Sequence, residues 1–319
     1  MPSGSDHIAA SQDRFILRSK GLLLDCRAPI EDGAHIMGVL NVTPDSFSDG
    51  GLYMDVARAV ARATEMAEQG ARLIDIGGAS SRPKGAAYGK GASLVPNEEE
   101  LARVLPVVRA VAKKLPTIWI SVDTFRSDVA EACLDAGAHL INDITALRFD
   151  PALASVCAKH NAPLALMHSV GLPGDMPHEW SSEDVLKDVF EDLSLAINSA
   201  LHAGCTQLVI DPGFGFGKSL RGNLQLISNL KSFATLGWPM LVGVSRKNSL
   251  GQLIARDGVV PPPTERVAPG LALAGIAVDQ GAAIVRTHDV LVTAQFLSSI
   301  MQTRQTLKPS MPYHTVSTD

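Results

Sequence analysis

The chain has 319 residues, of which 46% are hydrophobic and 19% charged, and this composition is typical of a globular protein. No apolar run approaches the roughly 20 residues that a membrane-spanning helix needs. The N-terminal segment lacks the basic-then-apolar order of a secretory signal, and the four cysteines show no CxxC spacing, so we expect reduced thiols and a cytoplasmic location. With a net charge of −5 and no basic stripe, nucleic acid is not an expected partner. An anionic small molecule is not excluded, because nearby Lys and Arg side chains decide such binding.

Eight short apolar runs end in clusters of polar residues, and helical periodicity fills the segments between them. The runs lie at 35–41, 72–77, 117–122, 139–144, 163–168, 207–211, 240–245 and 283–287. This alternation predicts an α/β fold, a single-domain (β/α)8 TIM barrel with parallel strands. An open doubly wound sheet has the same alternation and is the structural alternative. The first turn, NVTPDSFSDGG, is not a GxGxxG nucleotide loop, and this favours the barrel.

The segments between the runs define helices and tails. We expect residues 1–34 to form a tail and a lead-in that holds the short strand candidate GLLLD, 35–304 to form the barrel, and 305–319 to form a C-terminal tail. Asn97 is the expected cap of a helix over 97–114, whose acids lie in the first turn and whose lysines lie in the last, as the helix dipole prefers. Further helices are expected at 54–69, 150–161, 182–203, 266–280 and up to about 303, and glycines at 70, 137 and 204 end three of the helices.

Polar side chains stand at the ends of several predicted strands, where TIM barrels place their active sites. Asp123 and Asn142 end strands three and four, Asp211 ends strand six, and Lys247 follows strand seven. Together such groups can bind the edge of a flat heterocycle, since a carboxylate pairs with the parallel N–H donors of an amino-pyrimidinone. The alternative for each single Asp is a helix N-cap. Asp75 lies inside strand two, and we expect it to be structural and bonded to a neighbouring loop.

Two loops carry residues suited to an anion. Asn41 ends strand one, and the Asp- and Ser-rich loop that follows is interpreted as a lid over an anionic group, with Asn41 positioned for a phosphate or for Mg²⁺. Ser81 and Arg82 follow strand two, and a hydroxyl with a guanidinium is typical of phosphate or carboxylate recognition. A turn-rich first loop and an ordinary surface loop are the alternatives.

The last two strands and the glycine-rich segment DPGFGFGKS complete the candidate site. The segment is not a P-loop; its Phe214 and Phe216 could pack on a planar ligand, and Lys218 is either a binding cation or a solvated loop lysine. Arg286 and His288 alternate at the end of strand eight, so in a strand they would face the same side, which suits an anion. No HxH or HExxH spacing indicates zinc.

The motifs NVTPDSFSDGG, DPGFGFGK, SRK and RTHD, in this order, resemble those of the dihydropteroate synthases of the pterin-binding family, over roughly residues 35–304. The resemblance implies a transferase of folate biosynthesis that condenses 6-hydroxymethyl-7,8-dihydropterin pyrophosphate with p-aminobenzoate and releases pyrophosphate. It further implies a Mg²⁺ cofactor, a homodimer and a sulfonamide target.

The resemblance also implies roles for single residues. Those implied in catalysis are Asp123, Lys247 and Arg286. Those implied in pterin binding are Asp123, Asn142, Met167, Asp211, Phe216, Lys247 and Arg286. Those implied around p-aminobenzoate are Ser81, Arg82, Pro83 and Ser245. Those implied around pyrophosphate are Asn41, Arg82, Arg286 and His288, with Asn41 also as the metal ligand.

The sequence departs from the family pattern mainly near the aminobenzoate side. The usual GGESTRPG is here GGASSRPKG, followed by a longer Gly-rich insert, and Asn248 replaces the usual Ser after SRK. Two other functions remain open at this point: a methyltetrahydrofolate-type pterin methyltransferase and a non-catalytic pterin-binding paralogue. The basic residues and the Asp/Ser-rich first loop favour the synthase, because a methyltransferase needs no pyrophosphate site.

Overall fold

The computed structural model describes residues 13–29, 33–42, 51–79, 95–177 and 179–306. Within these ranges no helix combines the length and apolarity needed to cross a membrane. A short antiparallel hairpin, β1 (Ile16–Ser19) and β2 (Leu22–Asp25), comes first in the described chain and contains the predicted GLLLD strand.

Eight parallel strands follow. They are β3 (His35–Asn41), β4 (Leu73–Gly77), β5 (Trp119–Asp123), β6 (Leu140–Asp143), β7 (Leu164–Met167), β8 (Leu208–Asp211), β9 (Met240–Val242) and β10 (Ala282–Thr287). They close into a barrel in the order β10-β3-β4-β5-β6-β7-β8-β9. The predicted TIM barrel is therefore confirmed, and the open doubly wound sheet is wrong.

Helices connect the strands on the outside of the barrel. They are α1 (Gly51–Glu68), α2 (Asn97–Lys114), α3 (Ser127–Asp135), α4 (Ala152–Lys159), α5 (Val185–His202), α6 (Leu220–Ser228), α7 (Asn248–Leu253), α8 (Val267–Asp279) and α9 (Val290–Thr306), with 3₁₀ helices at Leu230–Leu236 and Pro263–Arg266. Positive φ angles at the glycines of positions 70, 137 and 204 follow α1, α3 and α5, as predicted for helix ends.

Two local predictions differ from the structure. Asn97 is not a cap: Pro96 takes the N-cap position, and the Asn97 side chain donates to the carboxylate of Asp128 instead. Strand seven is shorter than predicted, because the chain leaves the sheet after Val242 and turns at Arg246, whose φ is +58°. That turn brings the following residues over the end of the barrel.

Side chains alternate along each strand between the outside and the inside of the barrel. The outward residues, such as Ile74, Ile120 and Leu208, belong to the shell that packs against the helices. The inward residues fill the barrel in levels. The lowest level is apolar and consists of Met37, Leu73, Trp119, Leu140, Ala165, Val209, Leu241 and Ile284.

The N-terminal hairpin closes the lower end of this core. Leu17 and Leu24 are fully buried against the lowest inward level. Gln207 ties the hairpin to the barrel, because its side chain accepts from the Arg18 backbone N–H at 2.7 Å and donates to the Arg18 carbonyl at 2.9 Å. Buried apolar side chains thus fill the barrel at the amino ends of the strands, and the polar inward residues lie at the carboxyl ends.

Candidate active site

Asp75 is the centre of the polar level inside the barrel. Its side chain is fully buried, and its Oδ1 accepts from the Ser121 hydroxyl at 2.5 Å. Its Oδ2 accepts from Asn142 Nδ2 at 3.1 Å and from Arg286 Nε at 2.6 Å. The expected bond to a neighbouring loop is therefore wrong, since Asp75 orients inward residues of three other strands. Its inward parity with Leu73 is the signal that could have revealed it, because a buried carboxylate must be paired.

Arg286 joins Asp75 to Asp123. Its second bond runs from a terminal nitrogen to Asp123 Oδ2 at 3.0 Å. Burial raises the pKa of Asp123 to about 7; Arg286 opposes this shift, and the charge of Asp75 adds to it. Burial alone would lower the pKa of Arg286, but Asp75 and Asp123 outweigh it and raise that pKa. Asp123 is thus an inward carboxylate that can exchange its proton near neutral pH.

Lys247 and Asp211 form the opposite side of the site. Lys247 Nζ donates to the Phe214 carbonyl at 2.9 Å and lies 3.6 Å from the centroid of the Phe216 ring, a cation–π contact. Burial lowers the pKa of Lys247 to about 7, with Asp211 as the main opposing charge. Burial raises the pKa of Asp211, whose Oδ1 accepts from the Gly213 N–H at 2.7 Å.

The segment after β8 differs from its predicted role at two residues. Phe214 packs into the outer apolar shell, so only its carbonyl takes part in the site. Lys218 is neither a solvated lysine nor an exposed binding cation: it is buried, and its Nζ donates to carbonyl oxygens of His168 and Gly213 at 3.2 and 2.8 Å. Phe216 keeps its predicted position beside the site.

Ser245 and His288 form a pair at the same end of the barrel. Ser245 Oγ lies 3.1 Å from His288 Nδ1 and accepts from the His288 backbone N–H at 3.2 Å. Burial lowers the pKa of His288 to about 3, and the nearby charge of Arg286 adds to this. His288 is therefore a neutral imidazole whose orientation is fixed by a hydroxyl.

Asn41 stands at the end of β3, next to Asp123. An added Cβ on Gly77, which lies between them, would be 3.7 Å from Asn41 Oδ1 and 3.7 Å from Asp123 Oδ2. The Asn41 amide has no hydrogen-bond partner among the described residues. No group of three or more His, Cys, Asp or Glu side chains suited to a metal occurs in the described ranges. A single amide oxygen fits Mg²⁺, which retains several waters and relies on substrate phosphates.

Apolar side chains surround the polar level on one side. Met167 and Phe216 were predicted there, and the structure adds Phe125, Ile144 and Met176, all buried in the same cluster. These three follow strand ends or lie in the loop after β7, so their chain positions alone give no signal of the shared cluster. They provide an apolar wall for a flat ligand.

The structure therefore brings together the predicted residues that it describes. Asp123, Asn142, Met167, Asp211, Phe216, Ser245, Lys247, Arg286, His288 and Asn41 all lie at the carboxyl ends of the barrel strands. Ser81, Arg82, Pro83 and the lid after Asn41 lie outside the described residues. The remaining arrangement offers carboxylates and a carboxamide to N–H donors, cations to an anion, and an apolar wall to a planar ring.

The chain is similar to known proteins over most of its length. Residues 37–288 match the model of a family described as pterin binding enzyme. A dihydropteroate synthase from Escherichia coli strain K12 is 41% identical over 289 residues, which cover 90% of this chain and 96% of the relative.

Two solved structures are similar over nearly their whole length. A dihydropteroate synthase from Xanthomonas albilineans with 4-aminobenzoic acid has a TM-score of 0.79 and 41% identity, covering 93% of this chain and 99% of that one. A dihydropteroate synthase from Yersinia pestis with a sulfonamide drug has a TM-score of 0.80 and 41% identity, covering 91% and 99%.

Proposed function

The chain belongs to the pterin-binding enzyme family, and we infer that it acts as a dihydropteroate synthase: it condenses 6-hydroxymethyl-7,8-dihydropterin pyrophosphate with p-aminobenzoate to give 7,8-dihydropteroate and pyrophosphate. The observation that carries this function is the meeting of Asp123, Asp211, Lys247 and Arg286 around one end of the barrel. The reaction needs such a mixture, because it binds a polar heterocycle and releases an anion.

The pterin ring binds at the polar level of the barrel. Asn142 Oδ1 is buried with no partner among the described residues, and an unpaired buried acceptor of this kind calls for a ligand donor. The Asp211 carboxylate is suited to the paired N–H donors of the amino-pyrimidinone edge, and the ammonium of Lys247 to its acceptor atoms. Met167 and Phe216 cover the ring faces with apolar surface.

Carbon–oxygen bond cleavage places charge on two sides of the reacting methylene. The leaving pyrophosphate takes the bonding electrons, and the methylene carbon becomes a cation conjugated with the pterin. Asp123 stabilises this cation as a carboxylate, while Arg286, held by two carboxylates, faces the departing anion. The aromatic amine then attacks the methylene carbon and loses a proton, so no protein nucleophile is required.

His288 assists the anion as a neutral donor. Its pKa of about 3 excludes an imidazolium at neutral pH. When the Ser245 hydroxyl donates to Nδ1, the ring proton stays on Nε2 and can be donated to a pyrophosphate oxygen. Ser245 thereby takes a second task besides its proposed place at the aminobenzoate, where Ser81, Arg82 and Pro83 are the other proposed contacts.

Mg²⁺ is the proposed cofactor, held by Asn41 and the substrate's phosphates. When bound, the ion neutralises charge on the leaving pyrophosphate. Asn41 supports this assignment, because its amide has no partner among the described residues and stands beside Asp123.

Turnover with the pterin pyrophosphate and p-aminobenzoate tests the function directly. We expect pyrophosphate and dihydropteroate to appear in equal amounts, and the rate to fall when Mg²⁺ is chelated. Methyl transfer from a methylated folate to a cobalamin acceptor, with no pyrophosphate release, would instead support the methyltransferase. Binding without either reaction would support the non-catalytic paralogue.

We further propose that two copies associate through α8 and α9. Ile276 on α8 and Leu291 and Val292 on α9 are exposed apolar residues on neighbouring helices, and exposed apolar patches of this kind are typical of interfaces. Sedimentation of the unmodified protein should give a dimer, and an Ile276→Glu variant a monomer.

A cytoplasmic location is supported by the four cysteines, which are all buried and unpaired.

A further inference from the structure

The side-chain ammonium of Lys218 lies inside the loop that follows β8. The side chain is 3% exposed, and its Nζ donates to the carbonyl oxygens of Gly213 at 2.8 Å, His168 at 3.2 Å and Phe216 at 3.5 Å. An ammonium has three donors, so these carbonyls use all of them. The result is a cation that joins the end of β7 to both halves of the loop.

The backbone of this loop is packed so closely around the ammonium that it cannot take another course. A Cβ on Gly213 would lie 1.7 Å from the His168 carbonyl oxygen, and Gly213 has a φ of +71°. Asn223 holds the loop from the other side, because its Oδ1 accepts from the Gly215 N–H at 2.6 Å and its Nδ2 donates to the Lys218 carbonyl at 3.0 Å. Three carbonyls that point inward repel one another unless a cation lies between them.

The same loop places the two charged groups proposed to bind the pterin edge. Its Gly213 N–H donates to Asp211 Oδ1 at 2.7 Å. Its Phe214 carbonyl accepts from Lys247 Nζ at 2.9 Å, and its Phe216 ring lies under that ammonium at 3.6 Å. Two of the carbonyls that Lys218 holds belong to Gly213 and Phe216, which contact Asp211 and Lys247. The third belongs to His168, whose backbone N–H donates to the Asp211 carbonyl at 2.9 Å.

We propose that Lys218 is a positioning residue for the pterin site: its buried ammonium draws three carbonyl oxygens together and thereby fixes the loop that orients Asp211 and Lys247. Among the described residues Lys218 donates only to backbone carbonyls, so it acts through the loop and not on the substrate. This inference rests on the proposed function, because it assigns the pterin to Asp211 and Lys247.

Chemical rescue tests the proposal. Lys218→Ala removes three methylene groups and the ammonium, a fragment that n-propylammonium replaces. Binding of the pterin pyrophosphate without p-aminobenzoate is measured by titration, so that no turnover occurs. We expect Lys218→Ala to weaken this binding about tenfold or more, as the loss of charge-assisted hydrogen bonds in a buried site should. Added n-propylammonium should restore part of the affinity, and 1-propanol, which has the same length and no charge, should not.

Two further variants separate positioning from general stability. Lys218→Met keeps most of the volume without the charge and should show the same loss of pterin affinity well below its melting temperature. Lys187→Met on α5 removes an exposed lysine that pairs with Glu191, and it should leave the affinity unchanged. The pH is kept constant throughout.

The outcomes distinguish this inference from the proposed function. An unmodified protein that neither binds nor turns over the pterin pyrophosphate contradicts the function. If the unmodified protein binds the pterin pyrophosphate and Lys218→Met and Lys218→Ala bind it as tightly as the unmodified protein does, the role of Lys218 is overturned. Equal rescue by 1-propanol overturns it too, and so does a failure of both variants to fold that n-propylammonium does not reverse.

Discussion

Replacing Asp75 by Asn should change the proton affinity of Asp123, because both carboxylates bind the same guanidinium. The substituted side chain can keep one oxygen toward Arg286 and Asn142, and its amide can donate to the Ser121 hydroxyl. The shape of the site is therefore preserved while one buried negative charge is lost. Asp75 is one of the charges that raise the pKa of Asp123, so its removal should lower that pKa from about 7.

The size of the shift follows from the geometry. Two carboxylate oxygens on one guanidinium are roughly 5 Å apart, and at an effective dielectric of about 20 their charges repel by about 3 kcal/mol. At 1.36 kcal/mol for each pH unit, this corresponds to about two units, of which Arg286 screens a part, so we expect a shift of about one to two units.

The assay is the pH dependence of kcat/KM for the pterin pyrophosphate, whose acid limb reports the essential carboxylate of the free enzyme. Activity requires ionised Asp123, so the limb should move to lower pH in Asp75→Asn. Asp143→Asn is the matched control, because Asp143 is also buried in a strand but binds the loop residues Thr145 and Leu147. An acid limb that stays in place or moves upward in Asp75→Asn would refute the electrostatic reasoning.

Three further substitutions test separate parts of the site. Asp123→Asn should lower kcat about 100-fold or more, because it removes a group that stabilises transition-state charge. It should change the free energy of unfolding by only about 1 kcal/mol, because it also removes a buried repulsion. Equal losses in turnover and in urea stability would make Asp123 structural. Lys247→Arg should move the alkaline limb of kcat/KM upward, since burial lowers the pKa of Lys247 to about 7 whereas an Arg stays charged; an unchanged limb would assign it to another group. Gly213→Ala should destabilise the fold by more than the roughly 1–3 kcal/mol that a positive φ alone costs, because the added Cβ clashes with the His168 carbonyl. The control Gly237→Ala, at a φ of +75° and with no neighbour closer than 3.6 Å, should show only the backbone cost. Equal effects of the two variants on the melting curve would contradict the clash.

The strands and most of the site residues could be predicted from the sequence, because both depend on short-range patterns. An apolar run that ends in Asp or Asn defines a strand and its carboxyl end together, and closure of the barrel then brings all such ends to one side. The strand ends at Asp123 and Asp211 could be predicted without knowing which strands pair with each other. The prediction of the first barrel strand, His35–Asn41, matches the structure at both ends.

The roles of Asp75, Phe214 and Lys218 could not be read in the same way. Asp75 acts through residues 46, 67 and 211 positions away in the chain, so only the register of the strands relates it to them. In the loop after β8, two phenylalanines that are only two positions apart lie in different places, Phe214 in the outer shell and Phe216 in the site. The burial of Lys218 depends on carbonyl oxygens, which every residue has and no sequence pattern marks.

The charges of the described site leave a specific task to Mg²⁺. With all six groups ionised, the three acids Asp75, Asp123 and Asp211 balance the three bases Lys218, Lys247 and Arg286, so this cluster offers no net positive charge to a pyrophosphate. The neutral pterin ring can bind such a site as it is, whereas its pyrophosphate ester needs a further cation. Chelation of Mg²⁺ should therefore weaken binding of the pyrophosphate ester about tenfold or more and leave 6-hydroxymethyl-7,8-dihydropterin unaffected in a titration. Equal weakening of both ligands would mean that the ion supports the barrel end itself and not the phosphates.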